Sequence, residues 1–239
     1  TLGDTITVST LLLFGMGLLG VGSIWLSGGK NTSSPVQKFF RLLNAILKAV
    51  FSTRFIVIIK SLVMDGLLQR RLFRVSRERW VLHAMIFYPF VFRFLWGMIG
   101  LIASLGWPQW AGTWTMLNKN NPLTAFLFDL SGLIVILGVI GVLIRRQQSR
   151  STDSTTGLPA ADWPAYALIG GIMIGGFILE GMRMAMTGSP GGAAYAFVGD
   201  AISRMLEGIS LTGIYGYVWY LHAILTGAFV IYLPFSRMF

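Results

Sequence analysis

Five long apolar segments constrain this chain more than any other feature of its sequence. A helix crosses the hydrocarbon core of a bilayer with about 20 mostly apolar residues. The windows that qualify are residues 7–26, 80–105, 123–143, 163–184 and 211–233. Only 12% of the 239 residues are charged, whereas a soluble domain carries about 25%. The sequence therefore predicts an all-α membrane protein, a bundle of five transmembrane helices, with residues 1–239 forming one membrane domain.

The distribution of basic residues predicts the direction of these spans. Cytoplasmic loops of membrane proteins carry an excess of Lys and Arg. Segment 28–79 is rich in both and segment 144–162 contains three arginines, whereas segments 106–122 and 185–210 contain one basic residue each. This alternation predicts the N-terminus outside and the C-terminus in the cytoplasm. Topology and anionic lipid headgroups then account for the net charge of +10, so a nucleic-acid partner is not needed.

The cytoplasmic basic loop 28–79 contains two further helical patterns. In Val36–Val50, basic residues are interleaved with apolar ones, which is typical of an amphipathic helix lying in the membrane interface. Phe55–Leu68 is apolar but too short to span, and Lys60 and Asp65 interrupt it. We expect two interfacial helices between the first and second spans.

Two histidines are the candidates for cofactor chemistry. The chain has no cysteine, which excludes disulfides and any Cys-ligated zinc or iron–sulfur site within it. His83 lies near the cytoplasmic end of the second span, and His222 lies in the outer half of the fifth. Ionisable residues inside spans are functional candidates, although either imidazole could instead bond a neighbouring helix for packing. Imidazoles that point into a helical bundle are what haem ligation requires.

The two histidines are too far apart along the membrane normal to share one haem. His83 is near the cytoplasmic boundary, while His222 lies about fifteen residues before Arg237. At ~1.5 Å per residue the offset is on the order of 15–20 Å. The axial ligands of one iron cannot be so far apart.

Two motifs resemble a known family. They are Trp80-Val-Leu-His83-Ala-Met-Ile-Phe-Tyr-Pro-Phe-Val-Phe-Arg93 and Tyr220-Leu-His222, which continues to Leu233-Pro-Phe-Ser-Arg237. They resemble the second and fifth helices of the haem b (gamma) subunit of respiratory nitrate reductase and of related membrane subunits of heterodisulfide reductase. Asp65-Gly-Leu-Leu-Gln-Arg-Arg71 and Leu179-Glu-Gly-Met-Arg183 resemble the heterodisulfide-reductase branch.

This resemblance implies a quinone-reactive cytochrome b with one or two haems b, in the inner (cytoplasmic) membrane of a prokaryote. Such a subunit passes electrons of a respiratory chain between a (mena)quinone pool and a cytoplasmic iron–sulfur partner or fused iron–sulfur domain. It belongs to an oxidoreductase complex and is not catalytic alone, so no catalytic residue is expected. The alternative is a non-redox membrane assembly or transport subunit with structural histidines.

The family pattern has two histidines on each of the second and fifth helices. His83 and His222 match the first of each pair, and Arg93 stands at the second position of the second helix. The remaining position falls one residue beyond Phe239, so we expect a further C-terminal segment. Arginine cannot ligate iron, because it stays protonated. Arg93 is instead expected to pair with Asp129, a haem propionate or a quinone oxygen.

Four polar residues are candidates for a quinone site. Lys119 precedes the third span, roughly where the family places a basic residue near its quinol site, although a solvated loop lysine is the simpler interpretation. Asp129 lies inside the third span. Glu180 and Arg183 are three residues apart, which favours a local ion pair over a quinone headgroup site or a proton path. Ala193–Glu207 predicts a short surface helix.

Overall fold

The computed structural model describes residues 2–27, 34–151, 163–188 and 191–236, and within these ranges the chain is helical without strands. Lys30, Arg237 and Phe239 lie outside the described residues. The α-helices are α1 Leu2–Ser27, α2 Pro35–Val50, α3 Arg54–Ser61, α4 Arg70–Val75, α5 Arg77–Gly106, α6 Ala111–Leu117, α7 Pro122–Ser151, α8 Trp163–Thr187, α9 Phe197–Met205 and α10 Thr212–Tyr232.

Five of these helices, α1, α5, α7, α8 and α10, are long and apolar enough to cross a membrane. The predicted five-span, all-helical architecture is confirmed to this extent. The pair formed by Val36–Val50 and Arg54–Leu67 passes the same test of length and hydropathy, with a bend of 98° between its halves. The number of candidate spans is therefore five, or six if this bent pair is counted.

Two helices end at residues other than the ends of the apolar windows predicted for them. Helix α7 continues to Ser151, beyond the predicted end at residue 143, and includes Arg145 and Arg146. Basic side chains stabilise the negative end of a helix dipole, so they prolong the helix past its apolar part. Helix α10 ends at Tyr232 and continues as a 3₁₀ turn, Leu233–Phe235, which contains Pro234.

The second interfacial pattern does not form one regular helix. Helix α3 ends at Ser61 and is followed by a π-helix, Leu62–Leu67. Gln69 then adopts a left-handed backbone with φ 51°. The Asp65 carboxylate lies 3.2 Å from Nε of Arg71, so this turn is closed by an ion pair. The location of α2 and α3 in the membrane interface stays a prediction.

The described chain groups into two compact units. One comprises Thr1–Thr7 and Leu82–Val230, and the other comprises Val8–Val81 and Ile231–Phe239. In the second unit, α1 meets the C-terminal 3₁₀ turn at Gly17, where an added Cβ would lie 3.1 Å from the Phe235 ring.

In the first unit, side-chain contacts show that neighbouring helices run antiparallel. Along α5 and α7, Trp96 donates a hydrogen bond to Thr124, Phe92 packs edge to face with Phe128, and Ile86 contacts Gly138. Residue numbers fall on one helix as they rise on the other. Helices α7 and α8 are antiparallel in the same way, as are α8 and α10. The contacts that show this are Gly132–Phe177, Val139–Gly170, Gly171–Leu225 and Gly175–His222.

Glycines of α7 allow this close approach. An added Cβ on Gly138 would lie 2.9 Å from Ile86 Cγ1 and 3.0 Å from Met85 Cβ. Small residues let backbones come together where lipid supplies no hydrophobic force between helices. Val135, between these glycine positions, is fully buried. Helix α7 therefore packs closely on α5 at Gly138.

We predict that Gly138→Ala destabilises the protein by about 1–3 kcal/mol, the cost of overpacking a well-packed interface. Gly97→Ala on α5 is the matched control, because a Cβ there meets nothing within 4 Å. Thermal unfolding in one detergent measures both variants. Equal unfolding temperatures for the two would contradict the close α5–α7 contact.

Candidate functional site

Arg93 points from α5 toward α7 and binds oxygen atoms of that helix. Its Nη1 donates to the Phe128 carbonyl at 2.9 Å and to Ser131 Oγ at 3.4 Å. The guanidinium carbon lies 4.8 Å from the centre of the Phe128 ring, a cation–π distance. An unpaired arginine inside a bilayer costs at least ~2.5–3.5 kcal/mol, and these contacts offset that cost.

Gly132 provides the space for this arrangement. An added Cβ at Gly132 would lie 2.9 Å from Arg93 Nη1 and 2.8 Å from the Phe177 ring. Both hydrogen bonds use Nη1, and a guanidinium has five N–H donors in a fixed plane. The Nε and Nη2 groups of Arg93 are therefore available to a further oxygen acceptor.

Arg93 makes no hydrogen bond or ion pair with Asp129, one of the three partners expected for it, and each finds others among the described residues. Asp129, which is only 4% exposed, accepts from the backbone N–H groups of Val198 at 2.6 Å and Gly199 at 3.2 Å. These groups belong to the first turn of α9. A helix leaves its first N–H groups without intrahelical partners, and a carboxylate there is favoured by both hydrogen bonding and the helix dipole. Asp129 thus caps a helix 69 residues away in sequence, and its hydrogen bonds are used there.

The local ion pair between Glu180 and Arg183 is confirmed. Arg183 Nη2 lies 2.7 Å from Glu180 Oε1 and its Nε lies 3.2 Å from Oε2, a two-pronged contact. Glu180 also packs on α9, since an added Cβ at Gly199 would lie 2.8 Å from its Cγ. Asp129 and Glu180 therefore meet the first turn of the same short helix.

Lys119 is exposed and lies in the turn between α6 and α7. This agrees with its interpretation as a loop lysine. The neighbouring turn at Gly192 approaches Asn120 and Pro122. The α6–α7 turn and the segment leading into α9 thus lie at the same end of the first unit.

His222 is half-buried and faces two glycines of α8. A Cβ on Gly175 would lie 3.2 Å from His222 Nδ1, and one on Gly176 would lie 3.5 Å from Cε1. Nδ1 is buried and has no hydrogen-bond partner among the residues that the structure describes. Leaving a buried polar atom unsatisfied costs about 1–3 kcal/mol, which a bound group that uses the imidazole would remove.

His83 is exposed, and its ring lies 5.6 Å from that of Phe87 one turn further along α5. Leu82, its neighbour, is the residue that packs against Gly141 of α7. The imidazole therefore projects from a different face of α5 from the one that packs on α7.

An aromatic pair separates the two histidines. Phe90 and Phe229 pack edge to face with ring centres 5.3 Å apart. His83 lies seven residues before Phe90, and His222 lies seven residues before Phe229, so each shares a helix face with its phenylalanine. Because α5 and α10 run in opposite directions, the histidines are displaced oppositely, by roughly 20 Å in all at ~1.5 Å per residue. The geometry agrees with two separate positions.

A site built from several acidic or imidazole ligands is not formed. No group of three or more His, Asp or Glu side chains that could hold a metal ion occurs in the described part of the chain. The half-buried imidazole of His222, with two glycines beside it, is a residue that would hold a haem. The position expected for a second ligand, Arg93, is held on α7 and cannot ligate iron.

Sequence reasoning missed the partners of both charged residues. Phe128 and Ser131 bind Arg93, and the backbone of α9 binds Asp129. Ser131, followed by Gly132 in an apolar span, was a usable signal, because a small polar residue beside glycine often bonds a neighbouring helix. Nothing in the sequence marks a backbone N–H as a partner.

Comparison with known proteins finds one relevant similarity. The chain is 26% identical over 134 residues to a subunit of the dihydromethanophenazine:CoB–CoM heterodisulfide reductase of Methanosarcina thermophila. The match covers 53% of this chain, and the chain spans about half (47%) of the length of that relative. No family model and no solved structure matches the chain.

We predict that Asp129→Ala destabilises the protein by about 0.5–2 kcal/mol, the usual cost of losing a helix cap. Asp200→Ala removes the same charge from an exposed ion pair with Arg204 and is expected to cost about 0.3–0.5 kcal/mol. Hydrogen exchange at the Val198 and Gly199 amides should accelerate in the first variant alone. Unchanged exchange there would contradict the capping role.

Proposed function

We propose that this chain is the membrane subunit of a redox complex, a b-type cytochrome that passes electrons between a quinone pool and an iron–sulfur partner. The observation that carries the proposal is the unsatisfied imidazole of His222 beside Gly175 and Gly176. The relative is by its name part of a reductase that uses dihydromethanophenazine and a heterodisulfide. From this similarity we assign to the present chain only the general role of a membrane subunit in a redox complex.

The haem ligands in this proposal are His222 and His83, each at its own site. A bound haem supplies one-electron transfer, which neither an apolar helix nor a carboxylate can perform. The chain would contribute these two imidazoles and the apolar helix surfaces between them. Arg93, with Nε and Nη2 available, is suited to a haem propionate or a quinone oxygen near the level of His222.

The iron–sulfur clusters must belong to another chain or domain. Residues 1–239 contain no cysteine, and Cys thiolates are the usual ligands of such clusters. The basic segment 28–79 is proposed as the cytoplasmic docking face, and a prokaryotic inner membrane as the location. Electrons and not substrates would cross this interface, which is consistent with a subunit that is not catalytic alone.

A quinone site is proposed at the end of the first unit where α7, α8 and α9 meet. Oxidation of a quinol releases protons, so its site needs an acceptor for them. Glu180 is the candidate we test: both its oxygens are paired with Arg183, so it would accept a proton when that pair opens, whereas Asp129 binds two backbone N–H groups through one oxygen. Lys119 supplies positive charge at the same end, which favours a quinone oxygen that gains negative charge.

Reduced-minus-oxidised spectra of the purified full chain, prepared with added haem, test the cytochrome proposal. We expect a b-type band in the parent protein and loss of one component in His222→Ala and in His83→Ala. Leu221→Ala, whose side chain is 57% exposed beside His222, is the matched control and should keep both. The variants should still insert, because insertion depends on the hydrophobicity of the span.

A parent protein without any b-type band would overturn the proposal and favour the non-redox assembly or transport alternative. Loss of the band in only one of the two histidine variants would establish a single haem.

The quinone site is tested by the rate at which a menaquinol analogue reduces the haem. Glu180→Gln should slow this reduction by about 10²-fold, the lower range for a positioned proton acceptor. Dithionite should still reduce all the haem in this variant. Asp200→Asn removes a carboxylate from the neighbouring α9 and should leave the rate unchanged, so equal rates in both variants would exclude Glu180.

A further inference from the structure

Helix α2 is amphipathic along its whole length. Its apolar positions are Val36, Phe39, Phe40, Leu43, Ile46, Leu47 and Val50, and its polar positions on the opposite face are Gln37, Arg41, Asn44 and Lys48. The helix begins at Pro35 after Ser34, whose side chain accepts from the Gln37 N–H at 3.3 Å. Local signals therefore define this helix before any tertiary contact.

The apolar face of α2 is uncovered by the described chain. Phe39, Phe40 and Leu47 are 50%, 61% and 48% exposed, respectively. Burying an apolar side chain of this size is worth about 1.5–3 kcal/mol. The apolar face of α2 therefore needs an occupant that the described residues do not provide.

The position of α2 and its charge identify that occupant. Helix α1, a candidate span, ends at Ser27, and α2 begins at Pro35. At ~3.6 Å per residue, a connection of about eight residues reaches at most about 29 Å, so α2 stays close to the end of a membrane span. Its charged residues, Lys38, Arg41 and Lys48, are all basic, which matches an anionic lipid surface.

A membrane-crossing arrangement of α2 and α3 is unfavourable. It would place Lys38, Arg41 and Lys48 in or near hydrocarbon, at ~2.5–3.5 kcal/mol each on the mildest scale. The bend of 98° falls at the break between the two helices, where helical hydrogen bonding is interrupted. Lipid-exposed irregular backbone does not occur in the hydrocarbon core. In the interface, water and headgroups satisfy both the charges and the break.

We propose that α2 and α3 form a bent anchor that lies in the plane of the membrane surface and prefers anionic phospholipid. The apolar face of α2 inserts among the acyl chains, and its basic residues contact headgroup phosphates. Helix α3, whose Ile56 and Val57 are 72% and 66% exposed, continues the anchor after the bend. This surface uses none of the residues proposed for the haem and quinone sites, and it leaves the basic residues of α4 and of the first turn of α5 for the proposed docking face.

Single spin labels measure the depth of α2, since a chain without cysteine needs no background substitutions. Labels at Phe40→Cys, Arg41→Cys and Thr53→Cys are placed in the full chain in nanodiscs of phosphatidylcholine with phosphatidylglycerol. We expect oxygen to reach the Phe40 label and a water-soluble nickel chelate to reach the Arg41 label. The Thr53 label, at the bend, should lie at headgroup depth.

Lipid preference is measured with a fluorescent label attached at Arg41→Cys or Val50→Cys. Its quenching by brominated phosphatidylglycerol is compared with its quenching by brominated phosphatidylcholine. Replacing the basic residues of α2 that remain in each labelled protein by Gln should lower the preference by up to about 5-fold per residue at low salt. Replacing equal numbers among Arg74, Arg77 and Arg79 of α4 and α5, which leaves the Asp65 ion pairs intact, is the matched control. An equal loss in that control would assign the preference to the general charge of the segment and overturn the role of α2.

Two depth results would also overturn the anchor. A Thr53 label at the bilayer centre would indicate a sixth or re-entrant span. Labels at both Phe40 and Arg41 shielded from oxygen and nickel alike would indicate that protein, and not lipid, covers α2.

Discussion

The need of every polar group inside a bilayer to find a partner within the protein shapes most of this molecule. Arg93 shows this best, because its guanidinium, in an apolar span, donates hydrogen bonds to a backbone carbonyl and a hydroxyl of α7. The α5–α7 register places Phe128 and Ser131 opposite it, and Gly132 has no side chain to block it. The close contact of α5 with α7 at this point therefore also supplies the hydrogen-bond acceptors that Arg93 needs.

The same requirement explains how the short helix α9 is held. Its first N–H groups lack intrahelical partners, and Asp129 supplies a carboxylate from the middle of the bundle. Glu180, neutralised by Arg183, packs on Gly199 beside that cap. Two acidic side chains, each with its charge compensated, therefore converge on one helix end. This is the region to which we assign quinone chemistry, since proton acceptors in an apolar protein are otherwise scarce.

His222 departs from the rule, and the departure is informative. Its Nδ1 is buried and has no hydrogen-bond partner among the described residues, although both Arg93 and Asp129 have partners. We propose this imidazole, with two glycines beside it, as a residue that would hold a haem. His83, exposed on its helix and roughly 20 Å away along the bundle, belongs to a different site. In the proposed function, the two histidines would hold haem at two separate sites and not at a shared metal centre.

The sequence by itself determined the features that depend on neighbours along the chain. Hydropathy predicted the five long helices, the spacing of basic residues in α2 predicted its two faces, and the i,i+3 spacing predicted the Glu180–Arg183 pair. It could not determine which partners Arg93 and Asp129 would take. Those depend on the register between helices, and the cap of α9 joins residues 69 positions apart. Several oxygen atoms were chemically acceptable to Arg93, and only the glycine-lined contact of α5 with α7 decided among them.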